Sequence, residues 1–374
     1  MSLRAFAAFA IVLVCAGPLR AQDRPKALDS DAAWDLAFRI VENDDEDDAD
    51  EALEELRGRG EDGIWEMLEA AKEWDEEGQE LIARALAELG EDAAPELIRT
   101  IGEKDDDVRE TAIFALGEMG VDALDGLVKF FKETKDPQQQ LRAAALLCKL
   151  EDDAVAPLVA IVKHGPNDCR PLALSILIDI GGPAIEPLVG ILGSTKEVRE
   201  LSRTGLAKIA EASVAAATSV GLATAPLLGT KLAEVRAVAV ELAGRFGGAA
   251  VMPKVVDALC SSDEGVRRSA AECAARVGEP AVADLIHCLN ASDRKVADAA
   301  AMGLAGIGEP AVPSLTRMLK APIAQIRAEA ASALGQMKRR ASVADLEFLL
   351  DDAEPAVRAS AKEAVSRIKG DEAR

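Results

Sequence analysis

Imidazoles, thiols and paired carboxylates are the side chains most able to do chemistry, and this 374-residue chain spaces few of them usefully. Its two histidines are His164 and His287. His164 stands just before Gly165 and Pro166 at the end of an apolar-periodic run, where a cation suits the negative end of a helix dipole. His287 follows Ile286 and is expected to point outward; with Cys260, Cys273 and Cys288 it fits no short zinc spacing. No Gly-rich phosphate loop, G-x-S-x-G elbow or H-E-x-x-H run occurs. The expectation is therefore no catalytic residue, no cofactor and no metal. Aromatics at 3% and a complete lack of tyrosine leave little to line a small-molecule pocket.

A second set of reactive-looking residues recurs along the chain. Arg109, Arg142, Arg199, Arg236, Arg267, Arg327 and Arg358 each follow Val, Leu or Ile. Such a series could hold phosphates or carboxylates. Each arginine, however, opens a helical pattern close to an acid, as with Asp107, Glu197, Glu234, Asp263 and Glu354. The expected role is structural: stacked Asp–Arg pairs that hold adjacent units in register. A net charge of −23 argues against a nucleic-acid partner.

The elements that carry these residues are repeats. Val266, Ala270, Cys273, Ala274 and Val277 fall on one helical face, and so do Val282, Leu285, Ile286 and Leu289 after the turn Gly278-Glu279-Pro280-Ala281-Val282. The plan returns at Val296, at Gly308-Glu309-Pro310-Ala311-Val312 and at Leu315 and Leu319. Gly278 and Gly308 suit a helix C-terminus, and Pro280 and Pro310 the first turn of the next helix. Alanine-rich first helices allow close approach, while Leu, Ile and Val of the second helices supply the bulk. No unit can bury its apolar face alone, so the fold class is all-α, an α-solenoid of about eleven stacked two-helix repeats.

A short two-helix unit, with an acid before Val-Arg, an Ala-Leu-Gly-like segment and an Ala-x-x-x-Leu second helix, resembles the HEAT-like repeats of the phycobilisome-lyase type. The resemblance covers nearly everything after residue 48. It implies scaffolds and adaptors, with chromophore lyases and a metal-dependent hydroxylase also in that family. The hydroxylase holds its metals through His-Glu pairs, which this chain lacks because Gly165 and Cys288 follow its two histidines. The leading expectation is a non-enzymatic scaffold or adaptor that binds a protein; the alternative is a lyase-type enzyme or enzyme accessory. In repeats of this type the second helices line the concave side, which would present Lys129, Lys132, Lys163, His287, Arg317 and Lys320 to a partner.

The front of the chain differs from the rest. Residues 1–21 hold one early arginine, Arg4, an apolar run ending at Ala16, then Gly17, Pro18 and Ala21. This reads as a cleavable secretory signal cut near Ala21, too short to span a bilayer, and implies a periplasmic or extracellular protein with no integral membrane span. Residues 22–47 form an N-terminal cap helix and acidic linker; the helix carries Trp34, Phe38 and Val41 on one face and has no partner of its own. The solenoid follows over 48–374, with a long irregular repeat at 198–234 and a terminal single helix at 356–368. Acidity is concentrated early: residues 22–110 hold 32 acidic and 10 basic side chains, against 34 and 31 over 111–374. The run at 44–55 lacks the glycine of a calcium loop and is expected to be a solvated, helix-starting face, the alternatives being a docking surface for a basic partner and weak divalent-cation binding. Cys148 and Cys273 occupy slots that Ala115 and Gly303 fill in other copies, so they are expected in the core, with Cys260, Cys273 and Cys288 as the one pool for a disulfide.

Overall fold

The computed structural model describes residues 30–42, 45–339 and 342–370. The signal-like segment with its cleavage point, Asp44 of the acidic run and Arg340 lie outside them. Among the described residues every regular element is a helix. They form two units, Met1–Pro187 and Leu188–Arg374, each a stack of two-helix hairpins in the manner of an α-solenoid.

The first unit opens with α1 (Ser30–Val41), which does have partners. It packs on α2 (Glu46–Ala70) and α3 (Glu76–Ala87), burying Ala33, Leu36 and Ala37. The face expected to be buried, Trp34, Phe38 and Val41, is only partly covered, and Phe38 is 41% exposed. The reason is size: two alanines one turn apart let the backbones approach, while the large rings lie at the side of the contact. There Trp34 stacks on Phe38 at 5.1 Å and on Trp74 at 5.6 Å. Helix α2 is two helices joined at Gly60, whose φ of +59° and ψ of −144° suit glycine alone. Asp45 caps its start, and Glu46, Asp47 and Asp48 fill the first turn, where negative charge opposes the positive end of the helix dipole.

The hairpins α3 with α4 (Ala94–Thr100), α5 (Asp106–Met119) with α6 (Leu124–Glu133), α7 (Pro137–Lys149) with α8 (Glu151–His164), and α9 (Arg170–Ile180) lead to α10 (Ile185–Gly190), which straddles the boundary between the units. In the second unit, α11 (Lys196–Ala212) and α12 (Val214–Thr224) make up the irregular repeat. It combines a long first helix with a long second one, separated by Ser213 alone in extended conformation. Gly221 lets α12 pass against the end of the next helix: a Cβ there would lie 2.3 Å from the Gly247 Cα.

Regular hairpins follow: α13 (Ala233–Phe246) with α14 (Met252–Leu259), α15 (Glu264–Val277) with α16 (Val282–Cys288), α17 (Arg294–Ile307) with α18 (Val312–Met318), and α19 (Ala324–Gln336) with α20 (Val343–Glu347). The single helix α21 (Pro355–Gly370) packs on α19 and α20. Gly278 and Gly308 take φ of +80° and +78° at the turns. Pro280 and Pro310 sit one step earlier than expected, in short 3-10 turns at Glu279–Ala281 and Glu309–Ala311, where a missing N–H is equally harmless. Ala270, Ala271, Cys273 and Ala274 are buried on the first helix of one repeat, and Leu285 and Leu289 follow it in the core. Each fully buried leucine contributes about 1.5–3 kcal/mol, so the second helices supply most of the hydrophobic stabilisation although they are short.

Candidate functional site

The repeated arginines reach main-chain carbonyls at the end of the preceding hairpin. Arg267 donates through Nη1 to the carbonyls of Ser261 and Ser262 at 2.8 and 2.9 Å. Arg327 does the same to Ala321 and Pro322, and Arg358 to Asp352 and Ala353. Arg236 reaches the Thr230 carbonyl at 2.7 Å and Arg109 that of Glu103 at 3.2 Å. In all five the acceptor lies six residues before the arginine. Arg199 meets the Leu192 and Ser194 carbonyls, and Arg142 crosses to Ile101 of an earlier repeat at 2.8 Å.

The partner expected from the sequence is a carboxylate, and two of the seven arginines have one. Arg109 does pair with Asp106, and Arg327 is bidentate to Asp352 at 2.8 Å, which holds that carboxyl below its usual range. The common acceptor is nevertheless the carbonyl, while Asp263 caps its own helix by accepting from the Val266 N–H at 2.9 Å. The last carbonyls of a helix have no intrahelical donor and carry partial negative charge, so a planar guanidinium satisfies both needs. Arg109 and Arg267 are buried in these contacts, at 7% and 8% exposure. Sequence reasoning missed Arg170, whose Nε donates to the Gly165 carbonyl at 2.9 Å. It also missed Gln325, which meets the Ala291 carbonyl where Ala297 interrupts the series.

The six second-helix residues are placed as follows. Lys129 and Lys132 lie on α6 and Lys163 near the end of α8, all in the first unit. His287 is on α16, Arg317 on α18 and Lys320 just beyond it, in the second unit. Five are exposed and Lys132 is half-buried. None of their side chains makes an ion pair with another described residue, so they are not spent on the fold.

The remaining reactive groups are dispersed. His164 and His287 are both exposed and belong to different units. Among the described residues no disulfide forms and no three His, Cys, Asp or Glu side chains gather to hold a metal ion. Burial pushes the Cys273 thiol up to about 12, which makes it a poor nucleophile. Burial, then the nearby Asp298, raises the Glu329 carboxyl to about 7. Hollows between successive repeats are open clefts. One of about 440 Å³ in the first unit runs along α4 and α6, and one of about 360 Å³ in the second unit lies between α13 and α15. No described helix is long and apolar enough to cross a membrane.

No curated protein matches the chain. Among solved structures, an engineered protein is 20% identical at a TM-score of 0.28, the match covering 91% of this chain and 99% of that one. The karyopherin Kap121p, bound to the extreme C-terminus of the protein phosphatase Cdc14p, is 11% identical at a TM-score of 0.37, with 91% and 46% covered. Kap95p, in a structure with RanGDP, is 14% identical at 0.31, with 91% and 50% covered. The chain thus spans about half the length of these karyopherins. A family model for HEAT repeats matches residues 64–147, 225–289 and 282–366, more than half of the chain, and the protein belongs to the HEAT-repeat family.

Proposed function

We propose that this protein is an exported, non-enzymatic scaffold or adaptor that works by binding another protein along the exposed surface of its second helices. One observation carries the reading. The arginines that could have formed a binding ladder are turned inward onto carbonyls, whereas Lys129, Lys163, His287, Arg317 and Lys320 stand exposed with no ion-pair partner among the described residues. Polar and charged side chains held at the surface and unspent by folding are available for a partner, where they set specificity and encounter rate. The working part is then helix surface and not a reactive cleft.

The test is chemical crosslinking of the intact protein in its native fractions followed by co-purification. A protein partner recovered in fixed stoichiometry is the expected result. A purified protein that carries colour or bound metal would replace this reading with an enzymatic one. Export rests on the composition of residues 1–21, and Edman or mass-spectrometric sequencing of the mature chain should find Gln22 first; a mature chain that keeps Met1 would remove it. Within the HEAT-repeat family, the short unit and its Val-Arg opening support the phycobilisome-lyase type as the closer subtype. A profile built from that subtype that scores these repeats no better than other HEAT profiles would withdraw the assignment.

A further inference from the structure

The first-unit groove along α4 and α6 differs from the other hollows in what lines it. Its apolar floor is Ile98, Phe130 and the exposed Val121, which presents 55% of its surface to solvent. Glycine helps to set that floor: a Cβ on Gly126 would lie 2.5 Å from the Ile98 Cδ1, so a larger residue there would push the end of this side chain aside. The rim is acidic. Glu91 and Asp122 come from two successive turns, while Asp125 and Glu133 come from α6. Lys129 is the single cation in the lining.

The rim acids are also unspent. All four are exposed, and none has an ion-pair or hydrogen-bond partner among the described residues. Elsewhere in the same unit carboxylates are engaged by cations: Asp48 by Arg39, Glu55 by Arg59, Glu69 by Lys72 and Glu61 by Arg99. An apolar floor of about 440 Å³ bordered by four free carboxylates is complementary to a chain of opposite character.

We infer that this groove receives a basic segment of a partner protein, seating an apolar side chain against Ile98, Val121 and Phe130 with lysines or arginines on either side meeting Glu91, Asp122, Asp125 and Glu133. The inference rests on the scaffold reading and names the chemistry of one docking site within it. A second copy of this chain is a poor occupant, because its net charge of −23 would bring acid to acid. Lys129 offsets one of the four rim carboxylates and leaves a local balance of −3, so the occupant supplies the missing positive charge.

The test uses the full chain and a fluorescein-labelled nine-residue peptide with a central Leu-Phe pair between Lys-Arg clusters, read by fluorescence anisotropy. Saturable one-to-one binding is expected. The triple variant Asp122→Asn, Asp125→Asn, Glu133→Gln should weaken it about tenfold, since each exposed pair contributes a few-fold. Neutralising Glu51, Asp62 and Glu77, which are exposed acids outside the groove, changes net charge equally and should leave binding within about twofold. Replacing the Leu-Phe pair with serines should also weaken binding. Equal losses in the two triple variants would show diffuse attraction to an acidic chain and overturn the inference, as would failure of the peptide to bind. A crosslinked partner that stays bound to the groove variant removes the groove while leaving the scaffold in place, so the two failures are distinguishable.

Discussion

The consecutive repeats α15–α16 and α17–α18 carry the same Gly-Glu-Pro-Ala-Val turn and equivalent buried leucines, Leu285 and Leu315, yet they are tied into the stack differently. In the first, Arg267 grips the Ser261 and Ser262 carbonyls from its own helix. In the second the equivalent residue is Ala297, and the carbonyl six residues before it, Ala291, accepts from Gln325 of the following repeat at 3.3 Å. The seams differ as well. Between α17 and α19 the buried Glu329 carboxyl lies within the electrostatic reach of Asp298, which helps to raise its pKa, whereas the residue equivalent to Glu329 is Ala299 on α17 and Ser269 on α15. The pair teaches that core and turn are copied while the tie is a requirement, one that a donor from either side of the seam can meet.

The largest expected effect tests the shared part. Leu285→Ala and Leu315→Ala each empty a fully buried site and should each cost about 2–5 kcal/mol in urea unfolding, agreeing with one another to about 1 kcal/mol. If only one is costly, the two cores are not equivalent and the comparison fails at its base.

Next is the carboxyl pair that one seam has and the other lacks. Glu329 is 6% exposed, and burial followed by Asp298 raises its folded-state pKa to about 7, with Arg294 opposing. A carboxyl that holds its proton more tightly when folded binds more protons in the native state. Stability should therefore fall as pH rises from about 4.5 to about 7 and level off above, with an amplitude on the order of 1–3 kcal/mol. Glu329→Gln should flatten this slope and stabilise the protein at pH 8. An unchanged pH profile would show that the pair does not share a proton.

The ties themselves come third. Arg267→Ala strands two carbonyls and opens a buried slot, at a cost of about 1–3 kcal/mol, whereas Gln325→Ala should cost about 0.5–1.5 kcal/mol because one neutral donor is lost. Urea midpoints of the two variants, with hydrogen exchange to localise the opening, compare the ties directly. Equal losses would mean that the guanidinium adds nothing over an amide.

What the sequence made legible follows from which interactions leave a periodic trace. Apolar residues at helical spacing and Gly-x-Pro turns identified the repeats from 265 to 320, because local geometry alone selects those residue types. The arginines were visible as a series, but their acceptors were not, since a carbonyl belongs to every residue and marks none. Gln325 escaped notice because its partner is 34 residues away. The aromatic contact of Trp34 with Trp74 and the acidic groove were hidden for the same reason: each assembles side chains from separate hairpins whose juxtaposition no single window of sequence contains.

The smallest effect is the most discriminating. If the tie is a requirement that either side may fill, then Ala297→Arg introduced together with Gln325→Ala should restore the pattern of the neighbouring repeat. Placed on α17, the new guanidinium would reach the Ala291 carbonyl by the six-residue route used by Arg267 and Arg327. Removal of Gln325 vacates the space beside that carbonyl, so the expected result is recovery of about 0.5–1 kcal/mol relative to Gln325→Ala alone. Ala297 is fully buried, however, and an arginine that cannot thread outward would overpack the seam and cost about 1–3 kcal/mol instead. Recovery in urea unfolding makes the two repeats interchangeable at this position; a further loss shows that the close approach of α17 to its neighbours already depends on an alanine there, and that Gln325 was the only route left.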